Sequence, residues 1–316
     1  MPSGMRFAVL ILLILGAEVL LRVHHQHTLR RSLPVELRAE TRALTLEGIR
    51  DRYRIVCLGD SITYGDGLPA AQAYPAVLMD LIGRSHPDLS AVVINSGLCG
   101  DTSVQGLARL ERDALWCRPH VLILAFGLND GNLGFWPLDP LREREVLGSL
   151  ESQLNRSHLW RTVRSRTARL TRSLVRPGRA PSIPPDAAPE PRVSRRGFGE
   201  TMRRLIASAR KAGAAVVVLT PTPVLEGPGL GSTHQERQRQ LAVYEGCAQI
   251  IRDIAAECET HLLDMRTVFG QRSFSELAIL LAADGVHLTA AGQTLLAESV
   301  FHALKNSGLL ETRRPH

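Results

Sequence analysis

Four separated blocks of the chain carry residue types that suit attack on a carbonyl group. The first contains Ser61, the second Gly97, the third Asn129, and the last contains Asp284 and His287. A serine hydroxyl becomes a good nucleophile when a neutral histidine takes its proton, and a carboxylate can orient that histidine. Backbone N–H groups and a side-chain amide can stabilise the oxyanion that forms. These types predict nucleophilic acyl chemistry, provided that the fold brings the blocks together.

Five short apolar runs alternate with helix-like segments and predict the elements that position the blocks. The runs are rich in valine, isoleucine and leucine and mostly lack alternation, which is typical of parallel strands buried on both faces. They are Arg54–Leu58, Ala91–Ile94, Val121–Phe126, Ala215–Leu219 and His261–Leu263. The helix-like segments are Ala73–Arg84, Val104–Leu115, Gly199–Ala212, Gln235–Glu257 and Ala290–Leu304. We therefore expect an α/β fold, with a parallel sheet of about five strands between two layers of helices.

The blocks fall where such a sheet places its ligands. Ser61, Gly97 and Asn129 follow the first three predicted strands, and Asp284-Gly-Val-His287 precedes the last predicted helix. Open parallel sheets bind ligands beyond the carboxyl ends of their strands. We therefore expect the four blocks to converge at one edge of the sheet.

With these blocks, the chain strongly resembles the GDSL family of esterases and lipases, also called SGNH hydrolases. The signature residues of that family match here, in order, at Ser61, Gly97, Asn129 and His287, and the resemblance covers about residues 52–306 apart from one insertion. It implies a three-layer, flavodoxin-like fold and a serine esterase that acts on acyl esters through an acyl-serine, without a cofactor or a metal.

The same resemblance implies a role for each matched residue. Ser61 would be the nucleophile, His287 the base, and Asp284 the carboxylate that orients the imidazole. The backbone N–H groups of Ser61 and Gly97 and the side-chain amide of Asn129 would form the oxyanion hole. Two further acids lie beside these residues, and for both we expect a structural or capping role: Asp60 and Asp130.

The composition narrows the range of partners. The net charge is +7 and the pI about 9.6, but aromatic residues are only 4% of the 316-residue chain. Surfaces that stack nucleic-acid bases need aromatic side chains, so we expect no nucleic-acid partner. His24, His25 and His27 lie close together; we interpret them as part of a solvated linker rather than a metal site.

The N-terminus predicts a targeting segment. Phe7–Leu21 is apolar apart from Gly16 and Glu18, which is short for a membrane span of about 20 residues. Residues 1–22 are therefore either a signal anchor or a signal peptide, and we favour an anchor that leaves the catalytic domain outside the cytoplasm. Positive charges after the apolar run favour the opposite orientation. We expect a basic polar linker at 23–50, a hydrolase domain at 51–308 and a tail at 309–316.

An Arg/Pro-rich insertion at about 141–195 interrupts the predicted domain. Its first half, His158–Arg176, has leucines and a valine on one helical face with arginines around them. Such a basic amphipathic helix can lie on an anionic membrane or pack on the domain, and we leave both interpretations open. Since the insertion follows the Asn129 block, it could form a lid or a side wall near the site.

Two other functions share the motifs. The first alternative is an O-acyltransferase or a deacylase that acts on a cell-envelope glycan or lipid; a transferase would pass the acyl group from the serine to a hydroxyl other than water, whereas a deacylase would pass it to water. A membrane-anchored scaffold that kept the motifs without catalysis is the second alternative.

Overall fold

The computed structural model describes residues 37, 39–134, 189–226, 230 and 233–311. Several predictions lie outside these residues: the targeting segment at 1–22, the histidines at 24–27, most of the insertion at 141–195 and the basic helix at 158–176. Within the described residues, no helix is both long enough and apolar enough to cross a membrane.

A parallel five-stranded sheet forms the centre of the described domain. Its strand order is β2-β1-β3-β6-β7, and every neighbouring pair in it is parallel. A two-stranded antiparallel ribbon joins β4 to β5. The strands among the described residues are β1 (Tyr53–Gly59), β2 (Ala91–Gly97), β3 (Val121–Ala125), β4 (Leu133–Gly134), β5 (Glu190–Pro191), β6 (Ala215–Leu219) and β7 (His261–Leu263).

Helices cover both faces of the sheet. The described helices are α1 (Ala39–Arg42), α2 (Ser61–Tyr64), α3 (Tyr74–Ser85), α4 (Ser103–Asp113), α5 (Leu128–Gly131), α6 (Arg195–Lys211), α7 (His234–Glu257), α8 (Met265–Gly270), α9 (Phe274–Leu280) and α10 (Ala290–Asn306). Short 3₁₀ turns lie at Glu47–Ile49, Ala70–Gln72, Pro87–Leu89 and Leu115–Cys117.

The alternation of side chains along β1 shows why both faces need cover. Ile55 and Cys57 point into a core shared with α3 and α10, whereas Val56 and Leu58 point into a second core shared with α4 and α6. Successive side chains of a strand point to opposite faces, so a strand that is apolar throughout must be buried on both. The predicted α/β class, with a five-stranded parallel sheet between helical layers, is confirmed.

The fifth predicted strand differs from a buried strand in one respect. His261 and Leu262 of β7 are exposed, and β7 lies at an edge of the described sheet, next to β6.

The packed chain extends beyond the predicted domain boundaries at 51 and 308. Leu37 and Ile49 are buried, although they fall in the predicted linker, and Leu310 of the predicted tail is buried as well. The Tyr53 hydroxyl donates a hydrogen bond to the carbonyl of Leu309 at 2.5 Å. The linker and tail boundaries are therefore corrected: apolar residues on both sides of 51–308 complete the core.

The ribbon of β4 and β5 fixes the chain on either side of residues 135–188. Leu133 pairs with Pro191 and Gly134 with Glu190, and the N–H of Val193 donates to the carbonyl of Asp130 at 2.9 Å. The chain thus leaves and re-enters the described domain beside the Asn129 block.

Candidate active site

Ser61 is the first residue of α2, directly after the sharp turn that follows β1. The carboxylate of Asp60 caps α2 by accepting a hydrogen bond from the N–H of Ile62 at 3.0 Å. A Cβ on Gly59 would lie 2.1 Å from Thr63 Oγ1 and 2.7 Å from the carbonyl oxygen of Ala125, so only glycine fits there. Gly-Asp-Ser therefore combines close packing, a helix cap and a hydroxyl at the carboxyl end of a strand.

His287 is held between Ser61 and Asp284. Its Nε2 lies 3.0 Å from Ser61 Oγ, and its Nδ1 lies 2.6 Å from Asp284 Oδ2. The other carboxylate oxygen, Asp284 Oδ1, accepts hydrogen bonds from the N–H groups of Val286 at 2.9 Å and His287 at 3.0 Å. Because Asp284 is fixed through both oxygens, it can in turn fix the tautomer and orientation of the imidazole.

The surroundings keep Asp284 ionised. Partial burial alone raises the pKa of its carboxyl group, but the hydrogen bonds from the His287 side chain and from two backbone N–H groups outweigh burial. The pKa of Asp284 therefore lies below its ordinary value, and the group is a carboxylate at neutral pH.

Asn129 lies in α5, directly beyond β3. Its Nδ2 donates to the carbonyl of Asp101 at 3.1 Å and approaches Asp60 Oδ2 at 3.5 Å. The neighbouring Asp130 is buried and accepts hydrogen bonds from the backbone N–H and the hydroxyl of Ser103, the hydroxyl at 2.6 Å. Asp130 thus ties the Asn129 loop to the start of α4, which agrees with the structural role expected for it.

Gly97 does not have the surroundings expected of an oxyanion donor. Its N–H already donates to the side-chain oxygen of Asn95 at 2.9 Å. A Cβ at Gly97 would lie 2.2 Å from the backbone nitrogen of Tyr64, so the glycine lets β2 pack against α2. We therefore correct the prediction for Gly97: its N–H is engaged, and the reason for glycine is close packing.

A second glycine in the same block, Gly100, is the better candidate for the backbone donor of the oxyanion hole. Gly100 occupies a tight turn in which the N–H of Asp101 donates to the carbonyl of Leu98 at 3.3 Å, and its φ of 79° favours glycine. Among the described residues, the Gly100 N–H has no hydrogen-bond acceptor. The turn contacts Asn129 through the carbonyl of Asp101. The sequence signal was a second glycine three residues after Gly97, next to Asp101 and Thr102.

Two carboxylates near His287 complete the electrostatic surroundings. Asp60 is fully buried, and burial, as the largest cause, raises its pKa to about 7. Asp66 is exposed, and its Oδ2 lies 3.8 Å from His287 Nε2. No sequence pattern pointed to Asp66, because its approach to His287 depends on how the chain turns after α2.

Comparison with known families identifies the domain. Residues 57–295 match the family model of the GDSL-like Lipase/Acylhydrolase family, which is more than half of the chain. The chain belongs to this family. The match contains every block that the structure brings to the carboxyl edge of the sheet.

Curated proteins include relatives of this GDSL-like chain. The chain is 34% identical to an arylesterase of Vibrio mimicus over 84 residues, which are 27% of this chain and 41% of the relative. It is 37% identical to thioesterase 1/protease 1/lysophospholipase L1 of Escherichia coli K12 over 83 residues, 26% of this chain and 38% of the relative. The matches thus span about two fifths of these relatives. An uncharacterized lipoprotein of Bacillus subtilis is 24% identical over 268 residues, 78% of this chain and 87% of the relative.

Solved structures share the GDSL-like fold. A lipase/acylhydrolase from Enterococcus faecalis superposes with a TM-score of 0.52 at 20% identity, covering 80% of this chain and 96% of that one. An acetylxylan esterase from Geobacillus stearothermophilus gives a TM-score of 0.53 at 18% identity, covering 80% and 94%. At these identities the likeness supports the fold.

Proposed function

We propose that the chain is a serine esterase that hydrolyses carboxylic acyl esters through an acyl-serine intermediate. One observation carries the proposal: Ser61, His287 and Asp284 form a continuous hydrogen-bonded chain, with spacings of 3.0 and 2.6 Å. Membership in a family of lipases and acylhydrolases supports it.

In the first step, Ser61 Oγ bonds to the acyl carbon as its proton passes to His287 Nε2. The electron pair of the carbonyl π bond moves to oxygen and forms a tetrahedral oxyanion. Asp284 holds the proton on Nδ1 and stabilises the imidazolium that forms. Collapse of the intermediate breaks the bond to the alcohol, which leaves with the proton from Nε2 and leaves Ser61 acylated.

In the second step, water takes the place of the alcohol. His287 Nε2 removes a proton from the water as its oxygen attacks the acyl carbon, and a second oxyanion forms. Collapse breaks the bond to Ser61 Oγ, which recovers its proton from the imidazolium, and the carboxylic acid is released. The enzyme returns to its starting state without a redox change.

We assign three N–H donors to the oxyanion hole. They are the backbone N–H of Ser61, the backbone N–H of Gly100 in place of Gly97, and the Asn129 side-chain N–H that faces Asp60 Oδ2, a contact that is long at 3.5 Å and that a developing oxyanion can replace. Fixed donors of this kind stabilise the transition state because they need no reorganisation as charge develops. Removal of one donor typically costs about 100- to 1,000-fold in turnover.

Chromogenic esters with two, four, eight and twelve acyl carbons test the proposal. We expect hydrolysis by the wild type and a loss of at least about 10⁴-fold in Ser61→Ala, because no other group can take over as nucleophile. Ser299→Ala is the matched control, since Ser299 lies in α10 and donates to the carbonyl of Leu295. Retained hydrolysis in Ser61→Ala would refute the serine mechanism.

The acyl group is the open part of the substrate. One relative is named arylesterase, which supports aryl esters, and another is named thioesterase 1/protease 1/lysophospholipase L1, which supports thioesters and lysophospholipids. The dependence of kcat/KM on acyl chain length in the same assay separates these classes. The two alternative functions, an acyltransferase and a non-catalytic scaffold, find no support in the comparisons and are not proposed.

We also propose that residues 1–22 tether the domain to a membrane. The apolar segment Phe7–Leu21 supports the proposal. The full chain should sediment with membranes after expression, whereas a chain beginning at residue 37 should stay in the supernatant. Equal distribution of the two would refute the tether.

A further inference from the structure

A buried arginine in α4 lies directly beneath the proposed site. Arg109 is 6% exposed, and its guanidinium donates to four oxygen atoms. Two are main-chain carbonyls, Ser96 O at 2.7 Å and Gly59 O at 2.9 Å. The others are carboxylate oxygens, Asp101 Oδ2 at 2.6 Å and Asp113 Oδ2 at 3.3 Å.

These acceptors belong to the segments that carry the proposed donors. Gly59 ends β1, two residues before Ser61, and Ser96 is the penultimate residue of β2. Asp101 closes the turn that contains Gly100. The main-chain carbonyl of Asp101 accepts the hydrogen bond from the Asn129 side chain. The guanidinium of Arg109 therefore contacts three sites next to the proposed donors: the end of β1, the end of β2 and the turn at Asp101.

Only arginine can make this set of contacts. Its planar guanidinium offers five N–H donors in a fixed fork, whereas lysine offers one compact ammonium group on a flexible stem. The charge is balanced locally, because Asp101 and Asp113 both lie within ion-pair distance. A lysine would keep the charge but could not hold two strand ends and the Asp101 turn in one geometry.

We propose that Arg109 is a positioning residue that sets the geometry of the oxyanion hole. The inference rests on the proposed esterase function. Arg109 acts through Gly59, Ser96 and Asp101, and it fixes the spacing between the Ser61 N–H, the Gly100 N–H and the Asn129 amide. A misplacement of about 1 Å in such a constellation can cost on the order of 100-fold in rate.

Arg112 provides a matched control on the same helix. Its guanidinium donates to both carboxylate oxygens of Asp113, at 2.5 and 2.8 Å. The carbonyls of Gly59 and Ser96, however, accept from Arg109. Arg112→Lys thus weakens an ion pair to Asp113 and leaves the contacts to the strand ends in place.

The test compares Arg109→Lys, Arg112→Lys and wild type in ester hydrolysis and in inhibition by an alkylboronic acid. A boronic acid forms a bond between boron and Ser61 Oγ as the serine proton passes to His287, and the tetrahedral anion mimics the transition state. We expect Arg109→Lys to lower kcat/KM about 10- to 100-fold and to raise the boronate Ki by a similar factor. Arg112→Lys should stay close to wild type in both.

The boronate Ki separates positioning from stability. A variant that is only less stable has fewer folded molecules, which lowers the rate but leaves the Ki of the folded fraction unchanged. A fall in rate with an unchanged Ki, or equal effects in both variants, would overturn the proposal. Wild type without Ser61-dependent hydrolysis would refute the esterase function itself, which is a different outcome.

A second variant serves if Arg109→Lys does not fold. Asp101→Asn keeps the main-chain carbonyl that binds Asn129 but removes the carboxylate that pairs with Arg109 Nε. We expect a raised boronate Ki in this variant as well. A folded Asp101→Asn enzyme with the Ki of wild type would overturn the proposal.

Discussion

At the residue scale, two effects on the pKa of Asp60 oppose each other: burial raises the pKa, and the hydrogen bond from the Ile62 N–H lowers it. Asp60 caps α2 with one oxygen, yet it is buried, and burial raises its pKa from 3.8 to about 7. Between these two values the folded protein holds a proton that the unfolded chain releases. Stability therefore falls as pH rises through this range, because the unfolded state binds fewer protons.

Asp60→Asn should weaken this pH dependence. Asparagine keeps a side-chain oxygen for the Ile62 N–H but cannot ionise, so the stability lost between about pH 4 and pH 7 should be smaller than in wild type. Urea unfolding of both proteins at pH 5 and pH 8 measures the difference. Burial also raises the pKa of Asp130 to about 6, so a smaller loss of stability with rising pH should remain in Asp60→Asn. An equal loss in the two would contradict the assignment.

Asp284→Asn should lower kcat strongly while the protein stays folded. The asparagine amide can donate to Nδ1 and favour the tautomer in which Nε2 carries a proton and cannot accept one from Ser61. We expect a fall on the order of 10³- to 10⁴-fold. Initial rates with an acetate ester measure it, with Asp253→Asn as the control on α7. Activity within tenfold of wild type would argue against the role of Asp284.

The sequence predicted the reacting residues better than their supports. Ser61, Asn129 and the pair of Asp284 and His287 stand in three distinct blocks, and the structure brings them to one edge of the sheet. The second block contains two glycines, and only the engaged N–H of Gly97 tells it apart from Gly100. The role of Arg109 gave no signal, because its contacts with the carbonyls of Gly59 and Ser96 depend on the fold.

At the element scale, the contact between β2 and α2 decides how closely the first two blocks approach. Gly97→Ala would place a Cβ 2.2 Å from the Tyr64 nitrogen and 2.7 Å from the Thr63 carbonyl carbon. Backbone atoms cannot move aside as a flexible side chain can. The two elements would therefore separate.

We expect Gly97→Ala to lower the free energy of unfolding by about 1–3 kcal/mol or more, as overpacking does. Gly100→Ala is the comparison: it has a positive φ but no described atom within 4 Å of the added Cβ. Its loss of stability should be smaller. Its loss of activity should come from a shift of the backbone N–H at position 100, because alanine is strained at a φ of 79°. Urea unfolding of both variants measures the free energies of unfolding. A smaller decrease for Gly97→Ala than for Gly100→Ala would contradict the prediction.

The five main strands were predictable because burial on both faces leaves an apolar run. The short helices were not. The four residues of α2 carry no helical periodicity, and the helix forms because Asp60 caps it and Gly65 ends it with a φ of 74°. Local turn chemistry of this kind is too brief for a periodic pattern to show.

At the scale of the whole molecule, the segment before β1 is part of the folded domain. Leu37 and Ile49 are buried, and the Thr41 hydroxyl donates to the carbonyl of Asn95 at 2.7 Å. Asn95 is the residue whose side chain holds the Gly97 N–H. The segment therefore supports the end of β2.

A chain beginning at residue 51 should be less stable than one beginning at residue 37. Loss of two buried apolar side chains predicts a decrease of up to about 3–6 kcal/mol in the free energy of unfolding. Urea denaturation of the two chains at one pH measures it. Coincident transitions would mean that the segment adds nothing to the fold.

The hydrogen bond between Ser61 and His287 joins residues 226 positions apart. A ribosome adds about 5–20 residues per second, so Ser61 would exist for roughly 10–45 s before His287 is made. Throughout that interval the hydroxyl has no base to activate it. The proposed esterase activity can therefore begin only after synthesis has passed residue 287.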